Sequence, residues 1–504
     1  MMRKYPAQLQ LFETKTTSRE LLHHSFSHGQ VCTDSERLGL EHRYEHLFVS
    51  DDRFNRKVVS FQANKDELLH SWLKYREGFS SVLVETLISD FLLKPGDRIL
   101  DPFAGSATTL LVAKTLGLNA IGIDILPNCH LAWDAKSRYA EYSVAELDGI
   151  LNKIINAESG EAKRGFPHIA ITNSAFPPKT ENDIMWYTDW LLNLSVSDDA
   201  KTLLKLILAS ILEDVSYTRK DGQYLRWDYR AEKLIGRNSA REAQGKKTIK
   251  GIDKGELPVV KESLVRVLSD VIEDIKLLQA QFSKIDGHQE LLRGNALEVL
   301  STIPDNTFAA VITSPPYANR YDYTRTYALE LAYLGFGEGI NKLRQELLSC
   351  TVESRSKTKR LKQFYETIGQ SERYDSIISV IDNNVALKEI DQALRIRWDK
   401  GDMNNKGVLP MIHQYFEELT FIFAEVQRTS HPGAHIAFVN DNVRYGGEII
   451  PVDTITTNLA ESLGFEPVKI IVLAQKKGNS SQQMEKFGRE ELRKCITVWK
   501  KPIQ

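Results

Sequence analysis

The sequence predicts an α/β protein built on a doubly wound, mostly parallel sheet, and three observations carry that prediction. A short apolar strand at Arg98-Ile99-Leu100-Asp101 turns through a glycine into an amphipathic helix, Ser106 to Leu116, and a second buried strand, Ala120 to Asp124, follows. Strands and helices alternate again from Leu291 onward. The last two strands, Val468 to Ala474 and Cys495 to Lys500, have no clear helix between them and should form an antiparallel pair at one end of the sheet.

Composition bounds the class. With 504 residues, 26% charged and 42% hydrophobic, the chain has the profile of a folded globular protein, neither disordered nor collagen-like nor membrane-embedded. Its 65 Lys and Arg nearly cancel 67 Asp and Glu, so a polyanionic partner must be met by a local patch. Cys32, Cys129, Cys350 and Cys495 lie too far apart for a metal site and read as reduced thiols. No apolar run has the length of a signal peptide or a membrane span, and the expected location is the cytoplasm.

Along the chain, residues 1–60 are polar and dotted with histidine, and read as an N-terminal arm or loosely structured cap. The first core segment spans 61–130: Leu83, Leu87, Phe91 and Leu92 recur at helical spacing, and Lys94-Pro95-Gly96-Asp97 closes that helix ahead of the first strand. The sheet pattern then stops, and 131–288 reads as a mainly helical insertion with a polar interruption between Arg219 and Lys254. The second core segment, 289–336, holds the strand near Leu291 and another from Phe308 to Thr313. A second polar insertion spans 337–410, and the third core segment, 411–504, contains the helix Met411 to Arg428, the strand Ala434 to Asn440, a helix from Thr454 to Leu463 and the terminal strand pair.

Chemistry concentrates where strands end. In Asp101-Pro102-Phe103-Ala104-Gly105-Ser106-Ala107-Thr108-Thr109, Gly105 lets the backbone approach a ligand at a helix N-terminus. Asp124 ends the next strand 23 residues later, where a carboxylate can accept from a ribose diol. Two carboxylates suit a cofactor with ribose hydroxyls and a positive group. They disfavour a dinucleotide, whose pyrophosphate an acid would repel. The bland alternative is that Asp101 caps the helix and Asp124 merely ends its strand.

The run from Asp101 to Thr109 resembles motif I of the S-adenosylmethionine-dependent amino-methyltransferases of DNA, with Ala107 in place of the family's second glycine. A left-handed backbone there would cost alanine roughly 1–2 kcal/mol; the expectation is a right-handed helix start, which accepts it. The resemblance implies a Rossmann-like methyltransferase sheet, S-adenosylmethionine as cofactor, and Phe103, Gly105, Ser106 and Thr108 beside Asp101 and Asp124 in its site. Thr313-Ser314-Pro315-Pro316-Tyr317 follows a buried strand, so it lies at the carboxyl edge where doubly wound folds do chemistry. Methylating an exocyclic amine needs acceptors for the amino hydrogens, which the Ser314 hydroxyl and the Pro315 carbonyl can supply, while Tyr317 can stack on a base rotated out of the duplex. This loop is similar to motif IV in its Ser-Pro-Pro-Tyr form, which implies cytosine N4 ahead of adenine N6. Gly294-Asn295-Ala296 resembles motif III, with Asn295 toward the adenine of the cofactor, and Tyr75-Arg76-Glu77-Gly78-Phe79-Ser80 resembles motif X, which brings Phe79 to the methionine end. Thr313 joins the same cofactor set. The motif order resembles the alpha arrangement, although the long insertion precedes motif III instead of following it.

Double-stranded DNA is the implied partner, with a cognate restriction endonuclease as a further one. Asn319 to Arg325, dense in cations and aromatics, could hold phosphates near the flipped base through Arg320 and Arg325, or Asp322 could simply pair with a neighbouring arginine at a helix start. From Arg219 to Lys250, ten basic residues face four acidic ones, a surplus of six, with Tyr224, Trp227 and Tyr229 interleaved; Arg226, Trp227 and Arg230 are the candidate contacts. A second basic stretch, Arg355, Lys357, Lys359, Arg360 and Lys362, followed by Arg395, Arg397 and Trp398, offers further contacts in the other insertion. The competing readings are an RNA base methyltransferase and a non-catalytic DNA-binding subunit. No metal site is expected.

Overall fold

The computed structural model describes residues 18–221, 224–282, 286–473, 484–488 and 490–503. Its strands are β1 (Phe48–Val49), β2 (Arg98–Asp101), β3 (Asn119–Asp124), β4 (Thr218–Asp221), β5 (Tyr224–Trp227), β6 (Gln289–Arg293), β7 (Phe308–Thr313), β8 (Ser430–Asp441), β9 (Val443–Tyr445), β10 (Glu448–Ile450), β11 (Glu466–Val472) and β12 (Lys494–Lys500). Eight form one sheet in the order β1-β11-β12-β8-β7-β2-β3-β6. β2, β3, β6, β7 and β8 run parallel, while β12 lies antiparallel between β8 and β11, the expected reversed pair. Ala474 falls outside the described residues.

Both faces of the sheet are covered, which is why its strands read as continuous apolar runs rather than alternating ones. Successive side chains nevertheless part company: Ile99, Ala310, Ile312, Ala437 and Val439 join one core, and Leu100, Val311, Ile436 and Phe438 the other. The first core is shared with helices Ser81–Asp90 and Thr108–Thr115 and with the insertion helices Val144–Asn156, Pro178–Leu192, Asp198–Val215 and Val260–Phe282. The second lies under helices Val408–Thr429 and Val452–Ser462.

Several expectations change. Residues 18–60 are no loose arm: Phe26 and Phe48 are fully buried, β1 extends the sheet beside β11, and Arg37 is buried between Glu389 and Glu448. The polar interruption in the first insertion holds the hairpin β4–β5 and a helix, Glu232–Glu242. Its alternation is two-faced, with Thr218, Lys220 and Leu225 buried and Arg219, Asp221 and Arg226 exposed. The second insertion folds as four helices, Ile340–Glu346, Thr358–Thr367, Ser371–Asp382 and Val385–Asp399. There Lys357 is buried against Glu418 and Arg397 against Glu448 and Asp402, so these two cations are spent inside the protein, while Arg360 stays exposed but pairs with Glu298 and Glu346.

Candidate active site

Four strand ends converge on one cleft. It encloses about 730 Å³ including its open mouth and is lined by Tyr75, Glu77, Phe79, Phe103, Gly105, Ser106, Thr108, Asp124, Asn295, Ser314 and Pro316, among others. Among the described residues no Lys, Arg or His contributes to that lining, whereas Asp124 and Glu77 both do. The donor set thus suits a ligand with hydroxyls and a net positive charge and repels a phosphate chain.

Asp124 is fixed from two sides, accepting from the Gly105 N–H at 2.9 Å and the Leu126 N–H at 2.7 Å. Burial pushes its carboxyl up to about 7, and the charge of Asp101 adds to the rise. Asp101 does not line the cleft. It is buried and accepts from Thr109 Oγ1 at 2.6 Å, Thr313 Oγ1 at 2.7 Å and the Phe103 N–H at 3.1 Å. Both its oxygens and the Thr313 hydroxyl are therefore committed within the protein, and the two residues bolt the loop after β2 to the end of β7. Burial lifts Asp101 to about 6 against the pull of those three donors.

Ala107 is left-handed, with φ +66° and ψ +33°, contrary to the helix-start expectation, so it carries the strain that glycine would avoid. Its N–H donates to the Ala104 carbonyl at 2.8 Å, and Gly105 is left-handed too, at φ +54°. A Cβ at Gly105 would lie 2.7 Å from Cε1 of Tyr75, so the ring packs directly on the bare backbone. Asn295 reaches the cleft but spends its oxygen capping the Leu297 N–H at 3.0 Å, which leaves its amide hydrogens as the donors it can offer.

In the loop after β7, Ser314 Oγ stands 3.1 Å from the Tyr317 hydroxyl and 3.4 Å from the Val439 carbonyl, either of which takes its proton. Ser314 also lines the cleft, so with that proton committed its hydroxyl oxygen is the group it can offer there, as an acceptor. Lys494 Nζ donates to the Tyr317 hydroxyl at 3.3 Å and pairs with Asp441 at 3.4 Å, and the Tyr445 hydroxyl donates to the Ala318 carbonyl at 2.7 Å. The sequence reading missed Lys494, Asp441 and Tyr445. Asp441 had a signal, since it ends an apolar strand as Asp101 and Asp124 do. Lys494 arrives beside it because β12 starts where β8 ends.

The DNA-contact candidates divide. Arg325 is held by Asp322 at 3.1 Å and Glu353 at 2.9 Å, and Asp322 also caps its helix and binds Arg344 at 3.0 Å, so the pairing alternative describes this segment. Arg320 follows with left-handed φ +68°. Arg230 lies against Asp228 at 2.7 Å and Trp227 is partly buried beneath Lys233, while Arg226 stays exposed although within 3.3 Å of Asp221. Arg219, Arg237, Lys246, Lys247 and Lys250 are exposed, and the basic surface is theirs and Arg226's more than that of Trp227 and Arg230. Among the described residues no cluster of His, Cys, Asp and Glu could hold a metal, all four cysteines are free and buried, and no helix is long and apolar enough to cross a membrane.

Comparison with known proteins adds to this geometry. A family model described as DNA methylase matches residues 45–132. The chain is 56% identical over 479 residues to the Type II methyltransferase M.BsoBI of Geobacillus stearothermophilus, covering 95% of this chain and 94% of that protein. It is 36% identical over 500 residues to the Type II methyltransferase M.AvaI of Nostoc, covering 97% and 98%. The Type II methyltransferase M.MjaII of Methanocaldococcus jannaschii matches at 37% over 169 residues, 28% of this chain and 31% of its own.

Proposed function

This chain belongs to the DNA methylases of the N4-cytosine/N6-adenine family, whose methyl donor is S-adenosylmethionine, and from that premise we propose that it methylates cytosine at N4 within a specific duplex sequence. The observation that carries the choice of base is Ser314 in the first position of the catalytic loop, a neutral hydroxyl whose own proton is bound within the protein. When bound, the cofactor supplies an electrophilic methyl group. Asp124 would hold its ribose hydroxyls, Phe79 and Phe103 its apolar surface, and Asn295 its adenine, all on a wall without competing cations. Ser314 accepts a hydrogen from the exocyclic amine and turns the nitrogen lone pair toward the cleft. Lys494, itself paired with Asp441, donates to the Tyr317 hydroxyl, so the ring waits in place for a base extruded from the stack. No covalent nucleophile is required.

The outward face of the hairpin and the segment behind it, Arg219, Arg226, Arg237, Lys246, Lys247 and Lys250, would meet the phosphates. A cognate endonuclease with the same target sequence would be the cellular counterpart. The test is methyl transfer from labelled cofactor to unmodified genomic DNA, followed by digestion to nucleosides. Label in N4-methylcytosine is expected; label in N6-methyladenine overturns the choice of base, and label in neither overturns the activity.

A further inference from the structure

Lys220 belongs to the first insertion, yet its side chain ends behind the wall of the cofactor cleft. It is 2% exposed, and Nζ donates to Glu330, lies 4.0 Å from Glu213 and stands 4.5 Å from the centroid of the Tyr327 ring. That ring stacks on Tyr75 at 5.2 Å with 14° between planes, and Tyr75 rests on Gly105 of the cofactor loop. The Tyr327 hydroxyl accepts from the Arg76 N–H at 3.2 Å and donates to Glu77, which also takes the Tyr321 hydroxyl. Arg76 closes the circuit by donating to the Lys220 carbonyl at 2.5 Å and to Glu213 at 2.7 Å. A cation and a carbonyl from β4 thus fix the Tyr327 ring that backs Tyr75, whose own ring lines the cleft, while the outer face of the same strand carries Arg219 to solvent.

We propose that Lys220 is a positioning residue of the cofactor site, through which contact of the β4–β5 hairpin with DNA sets the Tyr327–Tyr75 wall, so that duplex DNA and cofactor tighten each other's binding. This rests on the cleft being the cofactor site and on the hairpin facing DNA. The coupling is reciprocal by linkage, since two ligands that favour the same wall position must each favour the other. A buried ammonium over an aromatic face is suited to the task, because it holds the ring without a fixed hydrogen-bond direction and still answers to movement of its strand.

Calorimetry of S-adenosylmethionine binding to the full chain, with and without sheared unmodified genomic DNA, reads the coupling. For the unsubstituted protein DNA should tighten the cofactor by about fivefold or more, the lower end of typical allosteric coupling. Lys220→Met should cut that factor below about twofold while DNA affinity without cofactor stays the same, and Lys220→Arg should restore most of it. The pair Lys220→Met with Glu330→Gln, which leaves no orphan carboxylate, gives the same reading if the single variant folds poorly. Full coupling in the Met variant, or none in the unsubstituted protein, overturns the proposal. Two further variants isolate its premises: cofactor binding that survives Asp124→Ala removes the site, and DNA affinity that survives Arg219→Ala with Arg226→Ala removes the hairpin contact.

Discussion

Adding one methyl group at Gly105 should disable cofactor binding, and the size of the effect can be worked from the geometry. The new Cβ would stand 2.7 Å from Tyr75 Cε1, 3.2 Å from Cζ and 3.4 Å from Cδ1, so the ring must retreat by about 0.7 Å to reach the ordinary 3.4 Å contact. It has little room to do so, being 5% exposed and stacked on Tyr327. To this is added the left-handed φ of +54°, which costs a side chain roughly 1–2 kcal/mol. Overpacking of a filled site costs another 1–3 kcal/mol or so. Gly105→Ala should therefore weaken S-adenosylmethionine at least tenfold by calorimetry, which corresponds to about 1.4 kcal/mol. The companion Ala107→Gly trades relief of a comparable strain against about 0.8 kcal/mol of lost methyl burial and a more flexible unfolded chain, and its melting temperature should move little. Unchanged cofactor affinity in Gly105→Ala would refute the reasoning that Tyr75 and Gly105 form the cleft wall.

Other outcomes follow from the same site. Asp124 sits near neutrality, and a cationic cofactor favours its ionised form, so affinity should rise about tenfold between pH 6 and pH 8; a flat profile would show that this carboxyl does not face the cofactor. Without cofactor the sign reverses, because Asp101, Asp124 and Glu77 hold protons more tightly folded than unfolded. Their contribution to stability is complete below about pH 4 and is lost as pH rises through 6 to 7, which thermal melts across that window would register. Ser314→Ala should keep cofactor affinity within about twofold and lower turnover by roughly a hundredfold, as loss of an acceptor in a proton-handling site does; near-normal turnover would exclude the acceptor role. Replacing Arg237 and Lys247 with alanine should flatten the salt dependence of DNA affinity by about two on the logarithmic slope, uniformly across sequences, and an unaltered slope would move the DNA surface elsewhere.

What the sequence disclosed is what depends on neighbours along the chain. The β2–turn–helix–β3 unit and the loop after β7 were legible because burial on both faces makes their strands continuous and because Gly105 and the two prolines mark fixed turns. Long-range pairing was not legible. Arg325 meets Glu353 only once the fold brings that residue against it, and Lys220 and Arg397 look like surface charge until burial pairs them with Glu330 and Glu448. Lys494 reaches Tyr317 only through an antiparallel register 177 residues away in sequence. The hairpin β9–β10 did have a local signal, the Gly446-Gly447 pair, both left-handed at φ +58° and +87°, as a two-residue turn requires. The left-handed state of Ala107 had only the glycine that the resemblance places there as its signal, since alanine itself reads as ordinary helix.

The burial of Lys220 against Glu330 bears on protein engineering. On the proposal that the first insertion meets the DNA, residues 131–288, which enter between β3 and β6, invite exchange with the corresponding stretch of another enzyme as a way to redirect sequence preference. Such a chimaera would carry away Lys220 and leave Glu330 buried without its cation, at a cost of about 3–5 kcal/mol. A graft that kept β4, or supplied a lysine in its register, would spare the recipient that loss; one that did not would arrive with its catalyst already loosened.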